Sequence, residues 1–303
     1  MYDIIGDVHG QADMLKDLLK SMGYKKKNGA FAHESRKVIF VGDIINRGPQ
    51  IRNTINIVRK MVEAGNAYAI LGNHELTAIL FDLKDKFGHF FLKNRSSQFR
   101  LPLLHTLEEF ANSQAEFKSH LKWMRTLPLF LELDGIRVVH ACWQDENIEL
   151  LKQNFTEGKL KKSILRKVSK NNSEISKAFW QTCKGIDFKL PKDLLVFDQT
   201  GQAHRTFRSK WWLNPDGMTF QELSFESRFD LPPYTIPPEL NNSRQPYGEN
   251  EPIVFFGHYC MRNGDNILAP NLCCLDSCVS RNGKLVAYRW SGEQKLITEN
   301  LVK

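Results

Sequence analysis

Three short apolar runs in this chain end at a glycine that is followed at once by a side chain able to bind a metal ion. The runs are Ile4-Ile5-Gly6-Asp7, Val38-Ile39-Phe40-Val41-Gly42-Asp43 and Tyr68-Ala69-Ile70-Leu71-Gly72-Asn73. Apolar runs without alternation are typical of strands that are buried on both faces of a sheet. Because amphipathic helical patterns separate them, the runs predict parallel strands whose polar ends converge at one edge of a sheet.

Two strands in the second half of the chain are predicted to end in histidine. They are Arg137-Val138-Val139-His140, which follows an Asp-Gly hairpin signal, and Ile253-Val254-Phe255-Phe256-Gly257-His258. A single histidine at a strand end is more often a structural residue than a ligand. Five polar strand ends in one chain instead favour a shared site, and Asp7 and His9 are spaced to lie on one side of an extended backbone.

Taken together, these motifs resemble those of the calcineurin-like metallophosphoesterases, the superfamily of the phosphoprotein phosphatases and the bacterial diadenosine tetraphosphatases. In chain order they are Asp7-Val8-His9-Gly10, Gly42-Asp43 through Arg47-Gly48, Gly72-Asn73-His74-Glu75, the His140 strand and Gly257-His258. The resemblance implies a four-layer α-β-β-α sandwich of two mixed β-sheets flanked by helices. It also implies a dinuclear metal site at the strand ends.

The resemblance assigns a role to each site residue. One ion is expected on Asp7, His9 and Asp43, and a second on Asp43, Asn73, His140 and His258, so that Asp43 bridges both. Imidazole and carboxylate ligands without thiolate favour manganese, iron or zinc over magnesium or calcium. We therefore expect two divalent ions as cofactors, with manganese as the first choice and iron or zinc as alternatives.

The catalytic residues implied by the resemblance are Arg47, which grips phosphate, and His74, the general acid for the leaving oxygen. The reaction is hydrolysis of a phosphomonoester or phosphoanhydride by attack of a metal-bridging hydroxide. Substrate contacts are expected from Arg47, Asn73 and a second arginine. Arg205 is the first candidate for that arginine and Arg208 the second, in a stretch of cations and aromatic rings that also fits a surface strand.

One residue departs from the phosphoprotein phosphatase pattern. Asn46 stands where those enzymes carry an aspartate that pairs with the acid histidine. An amide can orient an imidazole but does not stabilise its charged form as a carboxylate does. Asn46 and Pro49 favour the diadenosine tetraphosphatase branch, whereas Glu75 matches the protein phosphatases, so the sequence leaves the substrate open between a nucleotide and a phosphoprotein.

The 303 residues are predicted to form a single domain, residues 1–303, because the site residues come from both ends of the chain. Residues 142–251 are the least regular part and are predicted to form a lid or substrate wall. The segments 271–278 and 283–290 are predicted to be closing strands of the second sheet.

Net charge and hydropathy limit the classes of binding partner and the cellular location that we expect. A net charge of +8 favours anionic substrates, and the resemblance adds that these are phosphorylated small molecules, nucleotides or phosphoproteins. No apolar stretch is long enough to span a bilayer, and the lysines are too scattered for a nucleic-acid-binding module. We expect a cytoplasmic protein whose six cysteines are reduced. The alternative function is an inactive relative that binds a phosphorylated ligand.

Overall fold

The computed structural model describes residues 1–90, 100–155, 159–170, 173–198, 201–226, 229–240 and 246–303. These residues form two compact units. The larger unit comprises Met1–Lys184 and Pro252–Lys303, and the smaller one is Gly185–Glu251. The smaller unit therefore falls inside the segment 142–251, while residues 142–184 belong to the larger unit. All the predicted metal ligands lie in the larger unit.

The described residues contain nine helices. They are α1 (Ala12–Ser21), α2 (Ile51–Glu63), α3 (Asn73–Asp82), α4 (Leu104–Glu109), α5 (Gln114–Met124), α6 (Asp145–Asn154), α7 (Lys162–Val168), α8 (Glu174–Lys184) and α9 (Phe220–Leu223). Short 3₁₀ turns cover Leu101–Leu103, Pro238–Leu240, Val279–Arg281 and Thr298–Asn300.

Sixteen strands are present in the same residues. They are β1 (Tyr2–Ile5), β2 (Lys25–Lys27), β3 (Ala30–Ala32), β4 (Lys37–Phe40), β5 (Ala67–Ala69), β6 (Phe130–Leu133), β7 (Ile136–Val139), β8 (Asp187–Lys189), β9 (Val196–Phe197), β10 (Ala203–His204), β11 (Thr206–Arg208), β12 (Ile253–Phe256), β13 (Ile267–Ala269), β14 (Leu272–Cys274), β15 (Ala287–Trp290) and β16 (Leu301–Val302).

The larger unit contains two mixed five-stranded sheets. The first has the order β16-β15-β1-β4-β5, in which β1, β4 and β5 are parallel. The second has the order β13-β14-β12-β7-β6, in which β14, β12 and β7 are parallel. Each sheet therefore directs the carboxyl ends of its central parallel strands toward one edge, where ligands collect in α/β folds.

Successive side chains along each strand point to opposite faces of the sheet, so alternate residues pack against different layers. Ile4 and Ile39 of the first sheet share a buried apolar cluster with Val138 and Phe255 of the second, so the two sheets pack face to face. The neighbouring residues Ile5 and Phe40 point to the opposite face, where they share a cluster with residues of α1 and α2. The result is the sandwich of two mixed sheets flanked by helices that the resemblance implied.

Strand β15 lies in the first sheet, whereas the segment 283–290 was predicted to close the second sheet. β15 pairs with β1, with Tyr288 opposite Ile4, so it extends the first sheet, whereas β14 lies in the second sheet as expected. Both segments are apolar runs of similar length. The partner of β15 lies at the other end of the chain, and local sequence does not record that contact.

The smaller unit has a core of its own. It contains two antiparallel strand pairs, β8 with β11 and β9 with β10. Phe188, Phe207 and Phe220 form mutual ring contacts inside its apolar cluster. The short helix α9 begins at Thr219, whose side chain forms a capping box with Glu222.

The prediction that all six cysteines are reduced is wrong for two of them. Cys260 and Cys278 form a disulfide, while Cys142, Cys183, Cys273 and Cys274 are buried cysteines outside it. The two bonded residues are 18 positions apart and only the fold brings them together. Among the residues described above, no helix combines the length and apolarity needed to cross a bilayer.

Candidate metal centre

Five strand ends bring the predicted ligands into one buried cluster. β1 leads into Asp7 and His9, β4 into Asp43, and β5 into Asn73 at the start of α3. From the second sheet, β7 leads directly into His140 and β12 into His258. The two groups of side chains close enough to share an ion are His9, Asp43 and His74, and Asp43, His140 and His258.

Asp43 occupies the middle of the cluster and belongs to both groups. Its Oδ2 lies 3.7 Å from Nε2 of His9 and 3.7 Å from Nε2 of His74. Its Oδ1 lies 3.4 Å from Nε2 of His140 and accepts a hydrogen bond from the backbone N–H of His74. Asp43 thus stands where a carboxylate bridging two cations would be needed.

Asp7 connects the two ends of the chain. Both of its carboxylate oxygens lie near the backbone N–H of His258, at 3.3 and 3.2 Å, and its Oδ2 is 3.9 Å from Nε2 of His9. The side chain is 2% exposed. Burial this deep disfavours the charged form of the carboxylate, and a bound cation would stabilise that form.

The ring nitrogens of His9 and His140 are oriented for metal binding. His9 donates its Nδ1 hydrogen to the carbonyl of Ile45 at 3.1 Å, and His140 donates its Nδ1 hydrogen to the carbonyl of Val41 at 2.7 Å. Such backbone acceptors leave the Nε2 lone pair for a metal. Nε2 of His9 is buried and has no hydrogen-bond partner in the described part of the chain, because both nearby carboxylates are beyond hydrogen-bonding range. Ligand atoms on one ion at about 2.1 Å lie roughly 3–4 Å apart, so the cluster fits divalent cations.

His74 has the opposite arrangement. Its Nδ1 lies 2.7 Å from Nδ2 of Asn46, an N–H donor, so Nδ1 accepts and the proton of the neutral ring is on Nε2. A protonated Nε2 donates hydrogen bonds and does not bind a metal. His74 and His9 lie equally near Asp43, but the hydrogen bond from Asn46 favours His74 as a proton donor.

The carboxylate of Glu75 holds the loop that carries Asp43. It accepts hydrogen bonds from the backbone N–H groups of Asp43, Ile44, Ile45 and Gly72, at 2.9, 2.8, 3.1 and 3.0 Å. Glu75 is completely buried. With its oxygens occupied in this way, it supports the site without facing a substrate.

Helix α4 braces the same loop from the other side. His105 donates its Nδ1 hydrogen to the carbonyl of Arg47 at 3.0 Å, and the Thr106 hydroxyl donates to Oδ1 of Asn46. Glu109 accepts from the backbone N–H groups at the start of α2, those of Ile51 and Arg52. No local pattern in the sequence indicated these contacts, because they join residues about sixty positions apart.

Several site residues adopt left-handed backbone conformations. His9, Asp43, Asn46, Arg47 and His258 have φ values of 43°, 49°, 68°, 66° and 63°. Such angles are uncommon outside glycine and persist where surrounding contacts hold them. Glycine is also required at close approaches: a Cβ on Gly72 would lie 2.2 Å from Oδ1 of Asp43, and one on Gly257 would lie 2.0 Å from Oδ1 of Asp7.

Burial and mutual charge shift the site pKa values in opposite directions. Burial lowers the pKa of His9 to about 3 and that of His74 to about 4, while it raises the pKa of Asp7 well above its usual value. Burial is the largest single cause for the remaining pair and opposes their shifts, but their mutual attraction together with neighbouring charges and hydrogen bonds outweighs it. As a result the pKa of His140 is raised to about 10 and that of Asp43 is held well below its usual value. A cation at this position would therefore displace a proton from His140.

The predicted substrate residues lie in different surroundings. Arg47 is exposed, and its Nη1 donates to the Ser280 hydroxyl at 3.1 Å. Asn73 is partly exposed, and its Oδ1 lies 3.1 Å from Nε2 of His140. Arg205 belongs to the smaller unit and donates to the carbonyl of Lys192 at 2.6 Å. Its role toward a substrate stays a prediction.

Sequence reasoning did not include Asp276 in the site. This carboxylate is 4% exposed, and burial raises its pKa with a further contribution from Asp43. After burial, the negative charge of Asp276 is the largest cause of the raised pKa of Asp7. Its position within Cys274-Leu275-Asp276-Ser277, directly after β14, follows the same pattern of an apolar strand ending in a carboxylate that identified Asp43.

Comparison with known proteins identifies the family. A family model described as calcineurin-like phosphoesterase matches residues 2–181, more than half of the chain. The chain belongs to the calcineurin-like phosphoesterases. Of the site residues, His258 and Asp276 lie beyond the matched segment, so the structure extends the family site into the C-terminal part of the chain.

Two curated relatives share one protein name. The asymmetrical bis(5'-nucleosyl)-tetraphosphatase PrpE of Oceanobacillus iheyensis is 35% identical over 145 residues, which are 46% of this chain and 54% of that protein. The PrpE protein of Bacillus subtilis is 40% identical over 74 residues, 24% of this chain and 30% of that one. The chain thus spans about half or less of the length of these relatives.

A solved structure supports the same fold. A cold-active protein tyrosine phosphatase matches with a TM-score of 0.50 and 16% sequence identity, covering 95% of this chain and 73% of that one. At this identity the match concerns the fold of the calcineurin-like phosphoesterase alone.

Proposed function

We propose that this protein is a metal-dependent hydrolase that cleaves a phosphoanhydride bond in a dinucleoside polyphosphate. The observation that carries the proposal is the position of Asp43, whose two carboxylate oxygens lie 3.4–3.7 Å from Nε2 of three histidines. His9 and His140 turn Nε2 toward this carboxylate while Nδ1 donates to a backbone carbonyl, and His74 turns an N–H toward it. A site that combines cation ligands with a proton donor fits hydrolysis of a phosphate bond.

The residues that would hold the ions are those expected from the motifs. Asp7, His9 and Asp43 would hold one ion, and Asp43, Asn73, His140 and His258 the other. When bound, a pair of divalent ions neutralises phosphoryl charge and supplies a nucleophile from water near neutral pH. Manganese is the first choice among the metals that accept imidazole and carboxylate ligands, with iron and zinc as alternatives.

The protein's own residues bind and orient the substrate. The exposed Arg47 guanidinium, held by Ser280, is placed to donate two parallel hydrogen bonds to phosphoryl oxygens. Nε2–H of His74 donates to the oxygen that leaves with the other product. Glu75 keeps Asp43 in place while the substrate binds and while the oxygen leaves, because it accepts hydrogen bonds from the backbone N–H groups of Asp43 and Ile44.

The choice of phosphoanhydride rests on Asn46. The amide lets His74 act as a neutral donor, whereas the departing alkoxide of a phosphoserine requires full protonation by a stronger acid. A nucleotide leaves as a phosphate that is stable without a proton. The PrpE relatives carry the name of tetraphosphatases that act on bis-nucleosyl substrates, which agrees with this choice.

Two further expectations belong to the proposal. A nucleotide substrate would place the enzyme in the cytoplasm, where nucleotides are made. The lid at residues 142–251 and the phosphate contact of Arg205 stay predictions from the sequence.

The proposal is tested with metal-stripped protein resupplied with Mn²⁺, Fe²⁺ or Zn²⁺. We expect hydrolysis of diadenosine tetraphosphate at a higher kcat/KM than that of a phosphoserine peptide, and no hydrolysis by an Asp43→Asn variant. Preference for the phosphopeptide would reject the substrate class. If the protein binds the nucleotide but hydrolyses it with none of the three metals, it is instead an inactive relative.

A further inference from the structure

We propose that the Thr106 hydroxyl orients the amide of Asn46 and so determines which ring nitrogen of His74 carries the proton. The inference concerns a positioning residue for the proposed phosphohydrolase, and it rests on that function only for its kinetic consequence.

Three side chains form a directed chain of hydrogen bonds that ends at the metal centre. The Thr106 hydroxyl donates to Oδ1 of Asn46, and Nδ2 of Asn46 lies 2.7 Å from Nδ1 of His74. Nε2 of His74 then lies 3.7 Å from Oδ2 of Asp43. Every donor in this chain points the same way, an arrangement in which each bond strengthens the next.

The orientation of the amide decides what His74 can do. In the observed orientation Asn46 presents N–H to the ring, so Nδ1 accepts and Nε2 carries a hydrogen toward the substrate. If the amide turned by 180°, Oδ1 would face the ring, the hydrogen would move to Nδ1, and Nε2 would hold a lone pair. His74 would then be a hydrogen-bond acceptor and a competing metal ligand instead of a proton donor. A carboxylate at position 46 would present the same oxygen to the ring in either orientation, so the need to orient this group is specific to an amide.

The position of Thr106 suits it to this task. Thr106 and Asn46 both have 0% exposure, so water does not replace a lost partner. The loop carrying Asn46 is fixed by Glu75 on one side and by the bond from His105 to Arg47 on the other. With the backbone held, the amide retains only its own rotation. If the amide were reversed, the hydroxyl would accept from Nδ2, and its own hydrogen would lose Oδ1 of Asn46, the acceptor that it has among the described residues. The buried hydroxyl therefore favours the observed orientation.

The direct test is the ring tautomer of His74 in the metal-free protein. In ¹⁵N-histidine-labelled protein at pH 8, long-range ¹H–¹⁵N correlation spectra distinguish N–H from lone-pair nitrogens, and the His74 signals are assigned by their loss in His74→Asn. We expect wild type and Thr106→Ser to carry the hydrogen on Nε2, and Thr106→Val to shift a substantial fraction to Nδ1. Thr54→Val is a matched control, because Thr54 is equally buried and its hydroxyl donates to the carbonyl of Gln50.

An unchanged tautomer in Thr106→Val, or the same shift in Thr54→Val, would overturn the inference. Because this readout needs neither metal nor turnover, it separates the role of Thr106 from the proposed reaction. Protein without any hydrolytic activity but with the expected tautomer shift would reject the reaction and keep the positioning role.

The kinetic test is a double-mutant cycle with Asn46→Asp. In the wild-type background, Thr106→Val should lower kcat for a poor leaving group by about tenfold, part of the full contribution of a general acid. In the Asn46→Asp background the same change should have less than about a twofold effect, since a carboxylate has no orientation to lose. Equal losses in both backgrounds would show that Thr106 acts only through packing.

Discussion

The backbone N–H of Asp43 donates to the carboxylate of Glu75 at 2.9 Å, so the residue at the middle of the metal centre is held by a side chain of the adjacent helix. Glu75 takes three more backbone N–H groups, those of Ile44, Ile45 and Gly72. The loop after β4 and the turn after β5 are therefore joined through one buried carboxylate.

Glu75→Gln should destabilise the protein. The amide keeps one acceptor oxygen but turns its NH₂ toward backbone donors, so at least two buried N–H groups lose their partner. We expect a loss of about 2–4 kcal/mol in the free energy of unfolding, measured with urea on metal-free protein. Glu109→Gln, which affects two N–H groups at the partly buried start of α2, should cost about 1 kcal/mol. A smaller loss for Glu75→Gln than for Glu109→Gln would contradict the role of Glu75.

Removal of the Asp43 carboxylate should abolish the stabilisation of the folded protein by metal. Because a ligand that binds only the folded state raises its stability, Mn²⁺ should raise the melting temperature of metal-free wild type. Asp43→Asn should abolish this rise and reduce kcat by about 100-fold or more. Asp17→Asn, an exposed carboxylate paired only with Lys20, serves as the control. A variant that still responds to Mn²⁺ like wild type would place the ions elsewhere.

His74→Asn should slow turnover according to the leaving group. Loss of a general acid costs about 10²–10⁴-fold for an alkoxide, while p-nitrophenolate and nucleotides depart with little help. We therefore expect a large decrease in kcat for an alkyl phosphate and a small one for p-nitrophenyl phosphate and diadenosine tetraphosphate. Equal decreases for all three substrates would reject the acid role.

Arg47→Ala should weaken substrate binding, since a planar guanidinium can form two hydrogen bonds to one phosphoryl group. We expect KM to rise about tenfold or more, with partial recovery in Arg47→Lys. Ser280→Ala, which removes only the partner of Arg47, should have a smaller effect. Arg205→Ala tests the second phosphate contact in the same assay, and an unchanged KM would remove Arg205 from the substrate site.

His120 should make the protein sensitive to acid. It lies on α5, 3% exposed, with Nε2 3.5 Å from Oε1 of Glu116 and Nδ1 3.4 Å from Nη1 of Arg59. Burial is the largest cause that lowers the pKa of His120 below its usual 6.5. The unfolded chain therefore takes up a proton near pH 6.5 where the folded protein does not, so stability falls as the pH drops below that value. His120→Asn should show a shallower loss of melting temperature between pH 7 and pH 5, and an unchanged slope would assign the acid sensitivity to other groups.

The sequence predicted the elements whose signals are local. The apolar runs of β1, β4, β7 and β12 and the polar residues that end them all lie where the motifs indicated. The same holds for the helical periodicity of α1 and α2. A strand end fixes where its next residue points, so convergence of several such ends could be inferred without knowing the contacts.

Other features depend on partners that are distant in sequence. Thr106 and Asn46 are 60 positions apart, and the signal at Asn46 showed only that a carboxylate was missing. β15 pairs with β1 across the length of the chain, and Cys260 meets Cys278 through the turn after β14. In each case the side chains are ordinary for their local environment, and only the tertiary structure selects the partner.

The bond from His258 to Asp7 spans 251 positions. A proteolytic fragment that ends before Pro252 would keep most of the motifs yet lack both the imidazole of His258 and the amide that steadies Asp7. Affinity for a divalent cation would consequently report whether this polypeptide is intact. It would distinguish a fully assembled molecule from a nicked or partly folded one that retains the first sheet alone.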